Sequence, residues 1–187
     1  MQKSNYFLLA ASVALLGIQS CKKDDHDDHD HDENELITTV KISLTPKSGS
    51  GPVLSAQWKD LTPNEPSGQM VDTLKLDSGM VYTGKVELLD ETKTPAVDIS
   101  AEVKKEANEH LFVYKQVVET PKIVEVVITD KDSKNLPVGL EFTFTAINKG
   151  TGKLNVVLKH QPGEKNGTPG PGDEDVNVEI PFISKGK

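Results

Sequence analysis

Five histidines and a single cysteine carry most of the chemistry open to this chain of 187 residues. Three of the histidines are packed together in the acidic run Asp24-Asp25-His26-Asp27-Asp28-His29-Asp30-His31-Asp32. Neutral imidazole is a preferred ligand of zinc, copper and nickel, and the carboxylates between the rings add hard oxygen donors. Spacings of three and two residues let a flexible chain wrap one ion, so His26, Asp27, Asp28, His29, Asp30, His31 and Asp32 form a candidate ligand set. Without preorganisation, affinity should be moderate and selectivity poor. A second reading needs no metal and takes the run as a solvated spacer. Both stay open on sequence alone.

The other two histidines are His110 and His160. Glu106 and His110 are four residues apart, so a helix continuing that far would put them on one face within ligand reach. Glu109 adjoins them. His160 follows Leu154, Val156 and Leu158 in strand phase, which places it at the inward side or rim of a strand end. If the two histidines converge, two imidazoles with Glu106 or Glu109 make a chemically sensible zinc site. The plainer alternative is a hydrogen-bonded His160 at a strand rim and a His110 favoured by a helix C-terminal dipole.

Other motifs dissolve on inspection. Gly79 to Lys85 has the spacing of a phosphate loop, but Val86 stands where a magnesium-binding hydroxyl is needed. Glu106-Ala107-Asn108-Glu109-His110 is similar to an inverted zinc-protease motif with Glu106 in place of the first histidine. The loop Thr129 to Asn135 has Asp-x-Asp spacing at Asp130 and Asp132 but lacks the glycine and bidentate glutamate of an EF-hand, and a hairpin turn accounts for it. Asp72-Thr73-Leu74 resembles a short O-glycosylation motif of exported bacterial proteins. No serine nucleophile elbow occurs, and two domain histidines are few for acid–base work, so the expectation is a protein that is not an enzyme and takes no organic cofactor.

Charge and cysteine usage narrow the class. All 21 basic residues are lysine, against 29 carboxylates, for a net charge of −8. Residues 22–35 hold two lysines and eight of those carboxylates, so the acidity is mostly a tail property. An acidic, arginine-free chain has no electrostatic footprint for nucleic acid. One cysteine allows neither an internal disulfide nor a multi-cysteine metal site.

That cysteine closes a leader. Lys3 supplies a positive start, and Tyr6 to Ile18 is apolar but too short to span a bilayer. Ile18-Gln19-Ser20-Cys21 resembles a bacterial lipobox, with Gln19 departing from the usual small residue. The expectation is a lipoprotein signal peptide over 1–20, lipidation at Cys21, and a disordered Asp/His-rich tether over 21–35. Lys22-Lys23-Asp24-Asp25 looks like the export signal that carries lipoproteins to the outer face of the outer membrane in Bacteroidota-type bacteria.

The elements that must position His110 and His160 read as strands. Val40, Ile42 and Leu44; Leu54, Ala56 and Trp58; Met80, Tyr82, Val86 and Leu88; Val124, Val126 and Ile128; Leu140, Phe142, Phe144 and Ala146; and Val176, Val178, Ile180 and Phe182 each recur with period two. Turn residues separate the runs. Pro95 to Glu109, with Val97, Ala101, Val103 and Ala107 among charges, reads as a helix capped at Asp98 or Ser100. Residues 36–187 are thus expected to form an all-β domain, an immunoglobulin-like antiparallel β-sandwich of seven to nine strands with one short helical insertion. Trp58 is expected to pack between the sheets.

Through Asn34 to Val40, Tyr82 to Glu91, Glu106 to Tyr114, Asp130 to Leu140, and Leu158 to Pro162, the chain also resembles small Bacteroidota-type surface lipoproteins encoded beside TonB-dependent outer-membrane receptors. Asn135-Leu136 departs from an expected Asn-Gly. It implies a receptor-associated accessory role. The combined expectation is a surface-exposed, lipid-anchored outer-membrane protein that captures divalent zinc or copper for a receptor. The alternative is a structural or protein-interaction module whose acidic tail is a spacer.

Overall fold

The computed structural model describes residues 36–48, 51–62, 68–117 and 120–186. The calls at Cys21, on the export signal and on the tail histidines lie outside these residues. Among the described residues the elements in chain order are β1 (Thr39–Pro46), β2 (Leu54–Asp60), β3 (Gln69–Val71), β4 (Leu74–Asp77), β5 (Val81–Asp90), β6 (Val97–Asp98), α1 (Ile99–Lys105), β7 (His110–Gln116), β8 (Val124–Ile128), β9 (Glu141–Ala146), β10 (Gly150–His160) and β11 (Asp173–Lys185). The molecule is mainly β.

Seven strands form one sheet, in the order β3-β2-β1-β5-β9-β8 with β6 paired to β5, and four form a second, in the order β4-β11-β10-β7. The alternating apolar residues explain why. Val40, Ile42 and Leu44 of β1, Val86 and Leu88 of β5, and Phe142 and Phe144 of β9 are all buried, as are Leu154, Val156 and Leu158 of β10 and Val178, Ile180 and Phe182 of β11. These inward faces from both sheets share one hydrophobic core. At about 25 cal/mol per Å² of apolar surface removed from water, such a core dominates the favourable side of folding.

Glycine is required where the Phe142 ring lies against β5. Gly84 pairs with Phe142 across β5 and β9, and a Cβ at Gly84 would collide with the Phe142 ring.

Three expectations need correction. Among the described residues eleven strands form rather than seven to nine, because β3, β4 and β6 are segments of two to four residues, too short for alternation to mark them as strands. The sheets are not wholly antiparallel, since β4 runs parallel to β11. The helix spans Ile99–Lys105 rather than Pro95 to Glu109. Val97 and Asp98 are taken by β6, pairing with Asp90 and Leu89, and chain reversal after Lys105 feeds β7. Ile99 and Val103 are the residues that α1 buries, while Val97 and Ala101 stay exposed. Ser100 fastens α1 to β5 by accepting the Leu88 N–H at 2.6 Å. Trp58 is half-buried and packs against the core. No helix among the described residues is long and apolar enough to cross a membrane.

Candidate metal centre

His110 and His160 come together. His110 opens β7 and His160 closes β10, and the two strands pair so that these residues stand directly opposite each other. The phase of the core brings both rings inward, since Phe112 and Tyr114 face Leu158 and Val156 in the same ladder. The imidazoles stack nearly parallel, with centroids 4.7 Å apart and planes 6° from coincidence.

A third metal-capable side chain comes from the neighbouring strand. Down most of β11 the pairing with β10 is regular, but between Leu158 and Lys159 the register shifts: Leu158 faces Val176 and Lys159 faces Glu174. Asp175 is therefore the extra residue of a β-bulge, the device by which strands re-aim a side chain. Strict alternation with the buried Val176 would turn Asp175 to solvent. Instead its side chain is only 9% exposed, and Oδ2 lies 3.7 Å from His110 Nε2. One ligand atom each from His110, His160 and Asp175 falls within 4.8 Å of the other two. Two imidazoles and a carboxylate at this spacing could hold a metal ion.

Hydrogen bonding prepares the nitrogens. His110 Nδ1 donates to the Glu106 backbone carbonyl at 3.1 Å. A carbonyl only accepts, so the neutral ring carries its proton on Nδ1 and presents the Nε2 lone pair toward Asp175. His160 Nε2 is buried and has no hydrogen-bond partner among the described residues. A buried polar atom without a partner is costly, and a cation on its in-plane lone pair would satisfy it.

The protonation states follow from burial. Loss of solvent holds the His110 pKa below the ordinary histidine value, with the His160 ring adding to the lowering, against the opposing pull of the Glu106 carbonyl and the Asp175 and Glu106 carboxylates. His110 is thus kept neutral, the state a metal needs. Burial likewise pushes Asp175 above the usual carboxylate value, outweighing the attraction of both histidines, with Asp173 contributing in the same direction. A carboxylate held in so poorly solvated a place gains from a neighbouring cation.

The surrounding loops fix the turn that carries these contacts. Glu109 N–H donates to the Glu106 carbonyl at 2.9 Å, and the Glu109 carbonyl accepts the Gln161 N–H at 2.6 Å. The Ala107 carbonyl accepts from Lys165 Nζ at 2.6 Å. That ammonium also pairs with Asp132 at 2.8 Å, with both side chains fully buried. Asp132 Oδ1 in turn accepts the N–H groups of Lys134 and Leu136. One buried ion pair therefore ties together the segments around residues 107, 132 and 165.

The sequence-predicted residues divide clearly. His110 and His160 are neighbours. Glu109 places Oε2 3.7 Å from His160 Nε2. Glu106 does not share a helix face with His110, because α1 has already ended; it contributes its backbone carbonyl to the site. Asp130 and Asp132 act within a turn, as the absence of EF-hand features implies: the two oxygens of Asp130 accept the Gly139 and Leu140 N–H groups. Gly79 to Lys85 leads into and forms part of β5, not a phosphate loop. Asp175 was not singled out by the sequence. Its only signal is the acidic triplet Asp173-Glu174-Asp175 ahead of Val176, which reads equally well as a solvated strand entrance. No protein-family model, curated protein or solved structure matches this chain.

Proposed function

We propose that this protein is a non-catalytic, lipid-anchored accessory of the outer-membrane surface that captures a divalent transition metal, zinc or copper, for a TonB-dependent receptor. The observation that carries the metal reading is the convergence of His110, His160 and Asp175 at one end of the β7-β10-β11 ladder. The lipobox-like Ile18 to Cys21, the Lys22 to Asp25 export signal and the resemblance to receptor-linked lipoproteins support the location and the partner. In this reading His26, His29 and His31 raise the local ion concentration, and the folded centre holds the ion. The folded part is an immunoglobulin-like scaffold whose strand ends present the site.

Borderline nitrogen donors with one carboxylate suit zinc and copper better than calcium or magnesium, which prefer all-oxygen shells. Calorimetric titration of zinc and copper into residues 22–187 tests the reading. One high-affinity equivalent should persist when the three tail histidines are changed to Asn, and should be lost in His110→Ala and in His160→Ala. If no form binds more tightly than about 100 μM, roughly 5.5 kcal/mol, the metal reading falls.

A further inference from the structure

The centre has a second carboxylate. Resting on the metal reading above, we infer that Glu109 is the fourth ligand and the gate of the site, closing over an ion held by His110, His160 and Asp175. The geometry shows two imidazole–carboxylate pairs side by side. His110 Nε2 stands 3.7 Å from Asp175 Oδ2, and His160 Nε2 stands 3.7 Å from Glu109 Oε2. Neither separation is a hydrogen bond. Both are close to the roughly 3.3–3.5 Å between ligand atoms that tetrahedral zinc imposes with bonds of about 2.0–2.1 Å. His160 Nε2, the buried atom without a partner, lies next to this second carboxylate.

The two carboxylates differ in freedom. Asp175 is locked in the bulge and nearly buried, whereas the Glu109 side chain is one-third exposed. The Glu109 backbone is pinned through its carbonyl to Gln161 and through its N–H to Glu106, so side-chain rotation alone moves the carboxylate. Rotating the Glu109 side chain toward the rings would bring its carboxylate onto the ion, and swinging it outward would open one coordination position to solvent. A fixed three-residue cradle with one movable ligand suits a centre that must both hold an ion and release it. The nearby acids do not compete for this role. Asp173 is exposed, and Glu174 is directed to Lys159 at 4.0 Å.

Zinc affinity and the visible absorption of bound cobalt test the assignment in residues 22–187 carrying Asn at the three tail positions. The variants are Glu109→Gln, Asp173→Asn and His160→Ala. The inference expects intense four-coordinate cobalt bands in the parent and in Asp173→Asn. In Glu109→Gln zinc affinity should fall tenfold or more, zinc should dissociate faster, and the cobalt bands should weaken as water replaces the carboxylate. Matching melting temperatures in chelator would show that the variants fold alike. If Glu109→Gln keeps the parent's affinity and spectrum while His160→Ala loses both, the gate is wrong and the metal centre stands. If the parent binds neither ion, the metal reading itself is wrong and the gate falls with it.

Discussion

Replacing Lys165 by Met should be among the most damaging single changes available to this domain. Its ammonium is the counter-charge of a fully buried Asp132 carboxylate at 2.8 Å and the donor to the Ala107 carbonyl at 2.6 Å. Met keeps the length and apolar bulk of the stem but leaves the buried Asp132 carboxylate without its counter-charge and the Ala107 carbonyl without its donor. Breaking a buried pair from one side costs about 3–5 kcal/mol. At about 2–4 °C per kcal/mol for a domain near 150 residues, the melting temperature should drop by roughly 6–20 °C at pH 7. Acid should shrink the difference. In the wild type burial alone would raise the Asp132 pKa, but Lys165 and the Leu136 and Lys134 N–H groups outweigh it, and the value lies below the ordinary one. That contribution is full above the unfolded-state pKa of about 3.9 and fades as pH falls through the lower folded-state value. Without Lys165, burial acts with less opposition, the carboxyl takes up a proton more readily, and the variant recovers part of its loss on acidification. Thermal melts of wild type, Lys165→Met and Lys165→Met/Asp132→Asn from pH 7 to 4 provide the check. A drop below about 2 °C at pH 7, or a gap that widens toward pH 4, would refute the reasoning.

Three further outcomes follow from the same geometry. His110, kept neutral by burial, should titrate below the ordinary histidine value of about 6.5 in an NMR pH series; titration at or above it would contradict its buried, lone-pair-forward state. Because the unfolded chain takes up that proton first, His110 contributes stability that is present above about pH 6.5 and is lost as pH falls through its lower folded-state value. Excising Asp175 removes the bulge residue and should abolish zinc binding by the domain while the cooperative melt is retained; undiminished zinc affinity would show that the bulge does not aim the ligand. Gly84→Ala would drive a Cβ into the Phe142 ring and should destabilise the fold by about 1–3 kcal/mol, read as a lowered denaturant midpoint with an unchanged slope.

The period-two pattern made the long strands legible because one face of each is buried and the other is not. β9 and β11 from Val176 onward alternate cleanly, and in β10, although Val156 to Lys159 are all buried, the phase of Leu154, Val156 and Leu158 carries on to His160. The same rule applied to His110, Phe112 and Tyr114 gives β7, with Phe112 buried and Tyr114 half-buried in phase with His110. That reading was obscured by a helical pattern running up to Glu109. Residues 95–109 satisfy helical spacing on composition, but tertiary pairing of β6 with β5 takes the start and the reversal into β7 takes the end. Propensity is a weak prior against such pairing.

Asp175 escaped for a different reason. Alternation predicts faces only while the register is unbroken, and one inserted residue inverts the prediction for everything on its far side. Counting back from Val176 puts Asp175 in solvent; the bulge opposite Leu158 and Lys159 turns it onto the histidines. No residue type marks that bulge, since it arises from the match between two strands more than a dozen residues apart. His160, on regular strand, was therefore visible as phase, whereas Asp175, which completes the candidate centre, was hidden by the irregularity that aims it. A functional carboxylate gains from this arrangement: a bulge holds it by backbone geometry, whereas a side chain reaching from a loop, as Glu109 does, stays free to move. In the proposed centre, one rigid and one movable acid on the same pair of imidazoles would separate holding an ion from letting it go.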